Sequence, residues 1–326
     1  MVEFNTHRYC EETDFEYKLR LCKAKLNGEI DLSWSEIVDL LGLYVSADHL
    51  RKTAYGIIEY DNYINNNDIV ATRILCISDL HIPFNLPVET FKDYVGKVDI
   101  LMLNGDINDF QAISKFSKVY RISPMQEIIE AREHIINLIN YIRPHKVYIN
   151  KGNHDQRFQN YLAKNLDSDL LALTPETQLD LIIDDGFTYY DKMNHCKVYY
   201  EPIANMFDFC DVVYTCDWKF KIGNTWFLHP LAYFKSTLKT VENAMNYLHR
   251  NEKEYFSSVV LGHTHKIGYT KIGDVHLYEQ GCCCQTDKLN YMDGKLVDPQ
   301  KQGFMYICQD KNGNIILDKT KLICLN

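Results

Sequence analysis

The sequence predicts an α/β protein with two packed mixed β-sheets flanked by helices, preceded by a small helical module. Strand-like and helix-like segments alternate between residues 73 and 150, which is typical of a sheet covered by helices. Strand-like segments with mostly short connections follow residue 225 and predict a second sheet. The alternation begins only after the polar run DNYINNND, residues 61–68. We therefore predict a helical module over residues 1–68 and an α/β domain over residues 69–326.

The first sheet is predicted from three strands and two helices. RILCIS (73–78), VDILMLN (98–104) and KVYIN (146–150) have the apolar and β-branched composition of buried strands. PVETFKDYVG (87–96) predicts a helix between the first two strands. Residues 125–142 predict a longer helix, because apolar residues recur there at helical spacing on one face. These residues are Met125, Ile128, Ile129, Ile135, Ile136, Ile139 and Ile142.

The second sheet is predicted from five segments near the end of the chain. A long stretch rich in Asp, Tyr and Leu, residues 156–224, precedes them and is expected to be an insertion in the α/β domain. The five segments are TWFLH (225–229), SVVLGH (258–263), VHLYE (275–279), FMYIC (304–308) and NIILD (314–318).

The composition, 46% hydrophobic and 24% charged, is that of a globular protein. No stretch approaches the roughly 18 apolar residues that a transmembrane helix requires, so no membrane partner is expected. The N-terminal segment is acidic and lacks an apolar core, so it is not expected to be a signal peptide, and the predicted location is cytoplasmic. The net charge of −9 argues against a sequence-blind nucleic-acid coat protein.

The chain has eleven cysteines, none of them in a CxxC pair, so a zinc ribbon is not expected. Disulfides are not expected either, because the chain is neither short nor predicted to be secreted. Cys282, Cys283 and Cys284 are adjacent, and we predict that they are free reduced thiols on or beside a strand.

The N-terminal module contains a pattern typical of a helix-turn-helix. Ser33 or Ser35 can cap one helix that Gly42 ends, and Ser46 begins a second helix that carries Arg51 and Lys52. The charge does not favour DNA as its partner, because residues 1–70 contain seven Lys and Arg against thirteen Asp and Glu. Nucleic-acid binding and docking to a protein partner therefore both remain open, with docking or packing favoured.

Polar side chains follow the predicted strands at the points where the strands end. In open α/β sheets the carboxyl ends of the strands form the ligand crevice, so these side chains are expected to converge. A mixture of carboxylate, amide and imidazole groups without thiolates suits Mn²⁺, Fe, Co²⁺ or Zn²⁺. Seven ligands exceed the needs of one tetrahedral ion and fit two ions that share a carboxylate. The seven are Asp79, His81, Asp106, Asn153, His229, His263 and His265.

The order of these motifs resembles the calcineurin-like metallophosphoesterase superfamily over residues 73 to about 285. A single DxH or GHxH motif would be weak evidence, whereas the complete ordered set is specific. The motifs are DLH (79–81), GDIND (105–109), GNHD (152–155), His229 in FLHP, and GHTH (262–265).

The resemblance implies a four-layer αββα fold, two divalent metal ions, and a role for each motif residue. Manganese is the first choice of metal, with Fe, Zn, Ni and Co as alternatives. Asp106 would bridge the two ions, His154 would face the scissile phosphate, and Asp109 would orient His154. Asp79, His81 and His265 would hold one metal, and Asn153, His229 and His263 the other.

Phosphoester hydrolysis fits such a site. Two divalent ions neutralise the charge of the ester, and a water that bridges them becomes a hydroxide nucleophile near neutral pH. His154 can then protonate the leaving oxygen or stabilise the transition state. Arg157 is a candidate contact to a substrate phosphate, and Phe110 offers an aromatic surface on which a base could stack. Lys115, Lys118 and Arg121 are interpreted as a solvated helix face rather than as phosphate contacts.

Departures from subfamily patterns favour a phosphodiesterase or nuclease acting on nucleic acid or on a cyclic or linear nucleotide. Protein Ser/Thr phosphatases have Arg where Phe110 stands and Glu where Asp155 stands. A phosphomonoesterase is the alternative enzyme, and a nucleic-acid-binding regulator that uses the N-terminal module is the alternative of another class. Fusions of this kind look similar to genes of bacteriophages of Gram-positive bacteria, which would place the protein in the host cytoplasm.

Overall fold

The computed structural model describes residues 5–9, 12–67, 70–115, 122–289 and 298–325. The chain divides into two compact units, Met1–Ile69 and Val70–Asn326. Among the described residues, no helix has an apolar stretch long enough to cross a lipid bilayer.

The first unit contains three helices, α1 (Asp14–Leu26), α2 (Trp34–Leu40) and α3 (Ala47–Asn67). Ser33 caps α2 in a capping box with Glu36, in which each side chain accepts a backbone N–H from the other residue. The sequence predicted α2 and α3 but not α1, which has its own capping box. The helices pack around a small apolar core that consists of Leu21, Cys22, Ala24, Ile30, Ile37, Val38, Leu50 and Ala54.

The second unit is built from strands with helices on their outer faces. Its described α-helices are α4 (Pro124–Ile142), α5 (Gln156–Asn165), α6 (Ser168–Leu171), α7 (Gln178–Asp180) and α8 (Lys239–Asn251). Its described strands are β1 (Thr72–Ile77), β2 (Ile100–Asn104), β3 (Lys146–Asn150), β4 (Phe187–Asp191), β5 (Cys196–Tyr200), β6 (Asp211–Thr215), β7 (Lys219–Ile222), β8 (Thr225–Leu228), β9 (Ser258–Leu261), β10 (Ile267–Ile272), β11 (Val275–Gln280), β12 (Gly303–Gln309) and β13 (Lys321–Cys324).

These strands form two main sheets, which confirms the predicted fold class. The first has six strands in the order β13-β12-β1-β2-β3-β6, and the second has five in the order β10-β11-β9-β8-β7. A separate hairpin pairs β4 with β5. Alternate residues of β1 face opposite sides, so Leu75 and Ile77 join the core under α4 while Ile74 and Cys76 contact the second sheet. The helix α8 covers the outer face of the second sheet.

Three local predictions differ from the structure. Residues 304–308 belong to β12, which pairs with β1 in the first sheet, because local composition does not encode which strand is the partner. Residues 314–318 are not a strand, since the Asp310 carboxylate accepts the N–H groups of Asn312 and Asn314 and forms a tight turn. The helix predicted over 87–96 is a 3₁₀ helix, Val88–Tyr94.

Part of the segment predicted as an insertion belongs to the sheets. Within residues 156–224, β6 pairs in parallel with β3 at the edge of the first sheet, and β7 pairs with β8 at the edge of the second. The helices α5 to α7 and the β4-β5 hairpin lie in the remainder of this segment.

The register of the strands decides where their ends lie. In the first sheet Ile77 pairs with Leu103 and Asn104 pairs with Asn150, so the carboxyl ends of β1, β2 and β3 are level. In the second sheet Leu228 of β8 pairs in parallel with Leu261 of β9. The loops that leave these strands therefore begin side by side.

A buried carboxyl group in α4 should make the stability of the protein depend on pH. Glu127 is 2% exposed and accepts the N–H of Phe110 at 2.6 Å. Burial, assisted by the charge of Asp109, raises the pKa of Glu127 from 4.5 to about 8. The folded chain therefore holds a proton that the unfolded chain releases, so stability falls as pH rises from 4.5 to about 8.

Glu127→Gln should remove this loss, because the neutral amide can still accept the Phe110 N–H. We expect the thermal unfolding midpoint of the variant to lie above that of the wild-type protein at pH 8 and close to it at pH 5. Both proteins are measured after metals have been removed with a chelator. Glu133→Gln, in the same helix but exposed, is the control and should show no such divergence. Parallel pH profiles for Glu127→Gln and the unchanged chain would contradict the assignment.

Candidate metal centre

The predicted ligands lie on loops with unusual backbone geometry. Asp79 (φ 54°), His81 (φ 47°), Asp106 (φ 52°), His263 (φ 76°) and His265 (φ 53°) all occupy the left-handed region. Non-glycine residues rarely adopt this conformation, and strained residues of this kind concentrate at functional sites. The strain turns each loop sharply at the end of its strand, which brings the side chains together.

Asp79, His81 and His265 form the first ligand group. The Nε2 atom of His265 is 3.0 Å from Asp79 Oδ1 and 3.0 Å from His81 Nε2. Two ring nitrogens that face each other at this distance match adjacent ligands of one ion, given metal–nitrogen bonds of about 2.0–2.1 Å. The Asp79 carboxylate is fixed by the Ser78 hydroxyl and by the backbone N–H of His263, which donates to Oδ2 at 2.9 Å.

His229 and His263 form the second group with Asp106, and Asn153 is the predicted third ligand of this group. The Nδ1–H of His229 donates to the carbonyl of Asn104 at 2.7 Å, which turns its Nε2 towards Asp106 Oδ2, 3.2 Å away. The atoms Asn153 Oδ1 and His263 Nε2 are buried and have no hydrogen-bond partner. Buried polar atoms without partners are costly, and a bound cation would satisfy both.

Asp106 lies between the two groups. Its Oδ2 atom is 3.8 Å from His81 Nε2 of the first group and 3.2 Å from His229 Nε2 of the second. Its Oδ1 atom accepts the backbone N–H of His154 at 2.7 Å. The Asp106 carboxylate thus contacts both ligand groups and the backbone of His154.

The buried carboxylates of the site favour the binding of cations. Burial disfavours ionisation of Asp79 and Asp106, but the surrounding imidazoles hold the pKa of each carboxyl far below its ordinary value. Burial likewise opposes protonation of His81 and His229, yet neighbouring carboxylates raise the pKa of each to about 9. The carboxylates therefore require positive charge beside them, which divalent ions would supply in place of imidazolium protons.

Motif glycines make the close packing possible. A Cβ atom at Gly152 would lie 2.1 Å from Asp106 Oδ1, and one at Gly105 would lie 2.5 Å from the His229 ring. A Cβ at Gly262 would lie 2.7 Å from Ser78 Oγ. Together with the unpartnered Asn153 and His263 atoms, this packing shows that the residues present fit divalent metal ions.

His154 lies beside the ligands without belonging to either group. Its Nδ1–H donates to the carbonyl of Asp109 at 3.1 Å, and the Asp109 carboxylate is 3.1 Å from the same nitrogen. Asp109 Oδ1 is also 3.3 Å from His81 Nδ1, so this buried carboxylate positions both rings. Burial lowers the pKa of His154 to about 4.

The two predicted substrate contacts have different outcomes. Arg157 lies at the site, where its Nη2 contacts His154 Nε2 at 2.8 Å and its Nη1 donates to the Asp109 carbonyl at 2.6 Å. Phe110 has no exposed surface, because its left-handed backbone (φ 50°) turns the ring into the core against Phe158. The prediction that a base stacks on Phe110 is therefore wrong. Lys118 and Arg121 lie outside the described residues.

Asp155 is a buried residue whose role the sequence did not reveal. Its carboxylate accepts the N–H groups of Gly152 at 2.8 Å and Ile107 at 3.2 Å, which ties the loop of Asn153 to the loop of Asp106. Gln178, from the segment predicted as an insertion, donates to the same carboxylate at 2.8 Å. Its position in the GNHD motif could have indicated that Asp155 belongs to the site.

The cysteine triplet follows β11 directly, and all three thiols are free and buried. The Sγ atoms of Cys282 and Cys284 and a ring nitrogen of His265 lie within 4.8 Å of one another. The hydrogen bond from Cys284, with help from His265, lowers the pKa of Cys282 to about 5. Cys282 therefore ionises more readily than an ordinary thiol, and it lies beside His265.

Two stacked sheets with Asp and His side chains gathered at their strand ends form a site that could hold divalent metal ions. The chain belongs to the calcineurin-like phosphoesterase family, whose model matches residues 72–267. Membership of this family makes the chain a metal-dependent phosphoester hydrolase. No curated protein sequence matches it.

Solved structures with a related fold are distant. A single mutant of Vps29 from Entamoeba histolytica is 14% identical, with a TM-score of 0.37, over 78% of this chain and 99% of that one. Vacuolar Protein Sorting 29 from Cryptosporidium parvum is 14% identical, with a TM-score of 0.37, over 73% and 86%. A novel archaeal phosphodiesterase is 16% identical, with a TM-score of 0.30, over 78% and 99%. Likeness at this level carries no conclusion about function.

Asp106→Asn should make the site lose most of its bound metal, because the neutral amide removes a negative charge that faces both ligand groups. The measurement is metal content per chain after incubation with Mn²⁺ and desalting. Asp211→Asn, on the exposed part of β6, is the control and should retain the metal of the unchanged chain. Full metal content in Asp106→Asn would rule out its position between two ions.

Proposed function

We propose that the protein is a dinuclear-metal-dependent phosphodiesterase or nuclease that acts on nucleic acid or nucleotides, with residues 69–326 as its catalytic domain. The observation that carries the proposal is the position of Asp106 between two ligand groups and beside His154. This arrangement can place one phosphate against two cations and one imidazole.

The ligand groups define the proposed metal sites. Manganese is the first metal to test, followed by Fe, Zn, Ni and Co. When bound, two divalent ions neutralise phosphoryl oxygens and lower the pKa of water. Asp79, His81 and His265 would hold one ion, Asn153, His229 and His263 the other, and Asp106 both.

His154 is the proposed catalytic group. Because its Nδ1–H donates to the Asp109 carbonyl, its Nε2 is the atom that can pass a proton to the leaving oxygen. Burial lowers the pKa of His154 to about 4, so Nε2 must first take up a proton, and the negative charge of a bound phosphate would favour the imidazolium that donates it. Arg157 Nη2 lies at that atom in the structure. We infer that an arriving phosphate draws the Arg157 guanidinium onto a non-bridging oxygen, which frees Nε2 for the leaving group.

His154→Ala should reduce kcat by roughly 10²–10⁴-fold while metal content stays unchanged. The loss should be smaller for p-nitrophenyl esters than for alkyl esters, because a good leaving group needs little protonation. His145→Ala, at an exposed position, is the control and should retain full activity. Equal losses on both kinds of ester would show that His154 binds phosphate instead of donating a proton.

A preference for diesters follows from the charge around the site. A monoester dianion needs cationic groups in addition to the two metals, whereas a diester carries one negative charge. Arg157 is already paired with the carbonyl and carboxylate of Asp109, so its positive charge is partly compensated. The site is therefore better matched to the lower charge of a diester.

The value of kcat/KM for bis-p-nitrophenyl phosphate should exceed that for p-nitrophenyl phosphate when Mn²⁺ is saturating. Both substrates release the same leaving group, so the comparison isolates the charge and the second ester group. A tenfold preference for the monoester, which is about 1.4 kcal/mol in the transition state, would favour the phosphomonoesterase alternative.

The first unit is proposed to dock a protein partner, with nucleic-acid binding as the alternative. Arg51 and Lys52, the cations of α3 that suggested DNA contact, both pair with Asp48, at 2.8 and 2.7 Å. The single carboxylate of Asp48 offsets one of these two positive charges, which weakens phosphate contacts. A phage origin and a location in the host cytoplasm remain part of this proposal. Filter binding of single- and double-stranded DNA by the full chain, over a salt series, tests the alternative.

A further inference from the structure

The connection between β8 and α8, residues 230–238, lies against the proposed metal ligands. It begins directly after His229, and its Tyr233 ring meets the His263 ring edge to face, with centroids 6.0 Å apart and planes at 88°. His229 and His263 both belong to the second ligand group. A molecule whose phosphate lies at the metal centre would therefore meet this connection, which we call the 230–238 loop.

The 230–238 loop exposes large apolar side chains beside the site. Leu231 is 67% exposed, Tyr233 38% and Phe234 41%. Exposed apolar side chains scattered singly are normal, but a cluster next to a polar site marks a surface for a ligand. Lys235, the next residue in the chain, also has an exposed side chain, so the loop carries a cation beside its two aromatic residues in sequence.

A buried lysine holds this loop from behind. Lys266 is 2% exposed and directly follows His265 in the chain. Its ammonium donates to the carbonyls of Phe234, at 3.3 Å, and Lys235, and lies 5.2 Å from the centre of the Tyr233 ring. A buried lysine destabilises the fold unless its ammonium group is paired. The carbonyls of Phe234 and Lys235 and the Tyr233 ring pair with this ammonium, which fixes the loop at three points.

Two backbone hydrogen bonds fix the same loop further along the chain. The N–H of Phe234 donates to Thr240 Oγ1 at 3.1 Å, and the N–H of Leu238 donates to the Glu279 carboxylate at 3.0 Å. The exposed rings therefore rest on an anchored backbone. An aromatic surface held in place before the ligand arrives binds with little loss of conformational freedom.

We propose that Tyr233, with Phe234, forms a subsite that stacks the base of a nucleoside phosphodiester and so favours nucleoside esters over alkyl esters. The combination of aromatic rings with an adjacent exposed cation is the one that suits a base attached to a phosphodiester. Phe110 is buried and cannot fill this role. The inference rests on the proposed function, because the metal centre fixes where the phosphate would lie.

Two chromogenic diesters with the same leaving group test the subsite. Thymidine 5′-(p-nitrophenyl phosphate) carries a base on the retained alcohol, and methyl p-nitrophenyl phosphate does not. Tyr233→Ala should raise KM for the thymidine ester about five- to a hundredfold, in line with the stacking of one base. Because Tyr233 also packs on the ring of His263, metal content and kinetics on the methyl ester are measured alongside. Both should stay within about twofold of the unchanged chain, since Tyr233 is not a proposed metal ligand.

Matched variants separate stacking from structural damage. Tyr233→Phe keeps the ring and should behave like the unchanged chain, whereas Phe234→Ala should raise KM for the thymidine ester alone. Tyr255→Ala is the control, because Tyr255 is 68% exposed but precedes β9 and so lies at the opposite end of that strand from His263. Equal effects of Tyr233→Ala on both esters, or no effect on either, would overturn the subsite.

A binding measurement distinguishes failure of the subsite from failure of the proposed function. Calorimetric titration of thymidine 5′-monophosphate into the Mn²⁺-loaded full chain reports the subsite without turnover. If neither ester is hydrolysed, the proposed function fails, while weaker binding in Tyr233→Ala than in Tyr233→Phe still supports the subsite. Equal binding in these two variants, or no binding by the unchanged chain, overturns it.

Discussion

The carboxylate of Asp106 is the constraint on which the rest of the site depends. One oxygen faces an imidazole of each ligand group, and the other accepts the backbone N–H of His154. Such a buried anion can persist only if positive charge and donors surround it. The left-handed turn at Asp106 and the missing side chain at Gly152 follow from this need, because both let the GNHD loop approach the carboxylate.

The level ends of the parallel strands make that approach possible. β1, β2 and β3 end together in the first sheet, and β8 and β9 end together in the second. The chain thereby brings residues far apart in sequence to one place. Asp155 then joins two of the loops through backbone hydrogen bonds, so the positions of Asp106 and Asn153 are coupled.

Much of this could be predicted from the sequence, because polar side chains that directly follow several buried strands in turn must gather at one edge of the sheet. The seven predicted ligands, His154 and Asp109 lie together for that reason. Strand pairing could not be predicted, since the composition of β12 suits either sheet and only the fold selects β1 as its partner. The burial of Phe110 depends on one left-handed residue, which periodicity does not reveal. No sequence motif indicated Tyr233, because its proposed role depends on Lys266, which contacts the 230–238 loop only in the folded chain.

The left-handed backbone at five proposed ligands also restricts how these positions can change during evolution. A glycine there would relax the turn and stabilise the fold while deleting a ligand, so selection for stability alone would erode the site. A valine or isoleucine would also delete the ligand and, unlike glycine, could not adopt the turn without strain. Persistence of Asp and His at these positions in a lineage would therefore indicate continued selection for chemistry at the expense of stability.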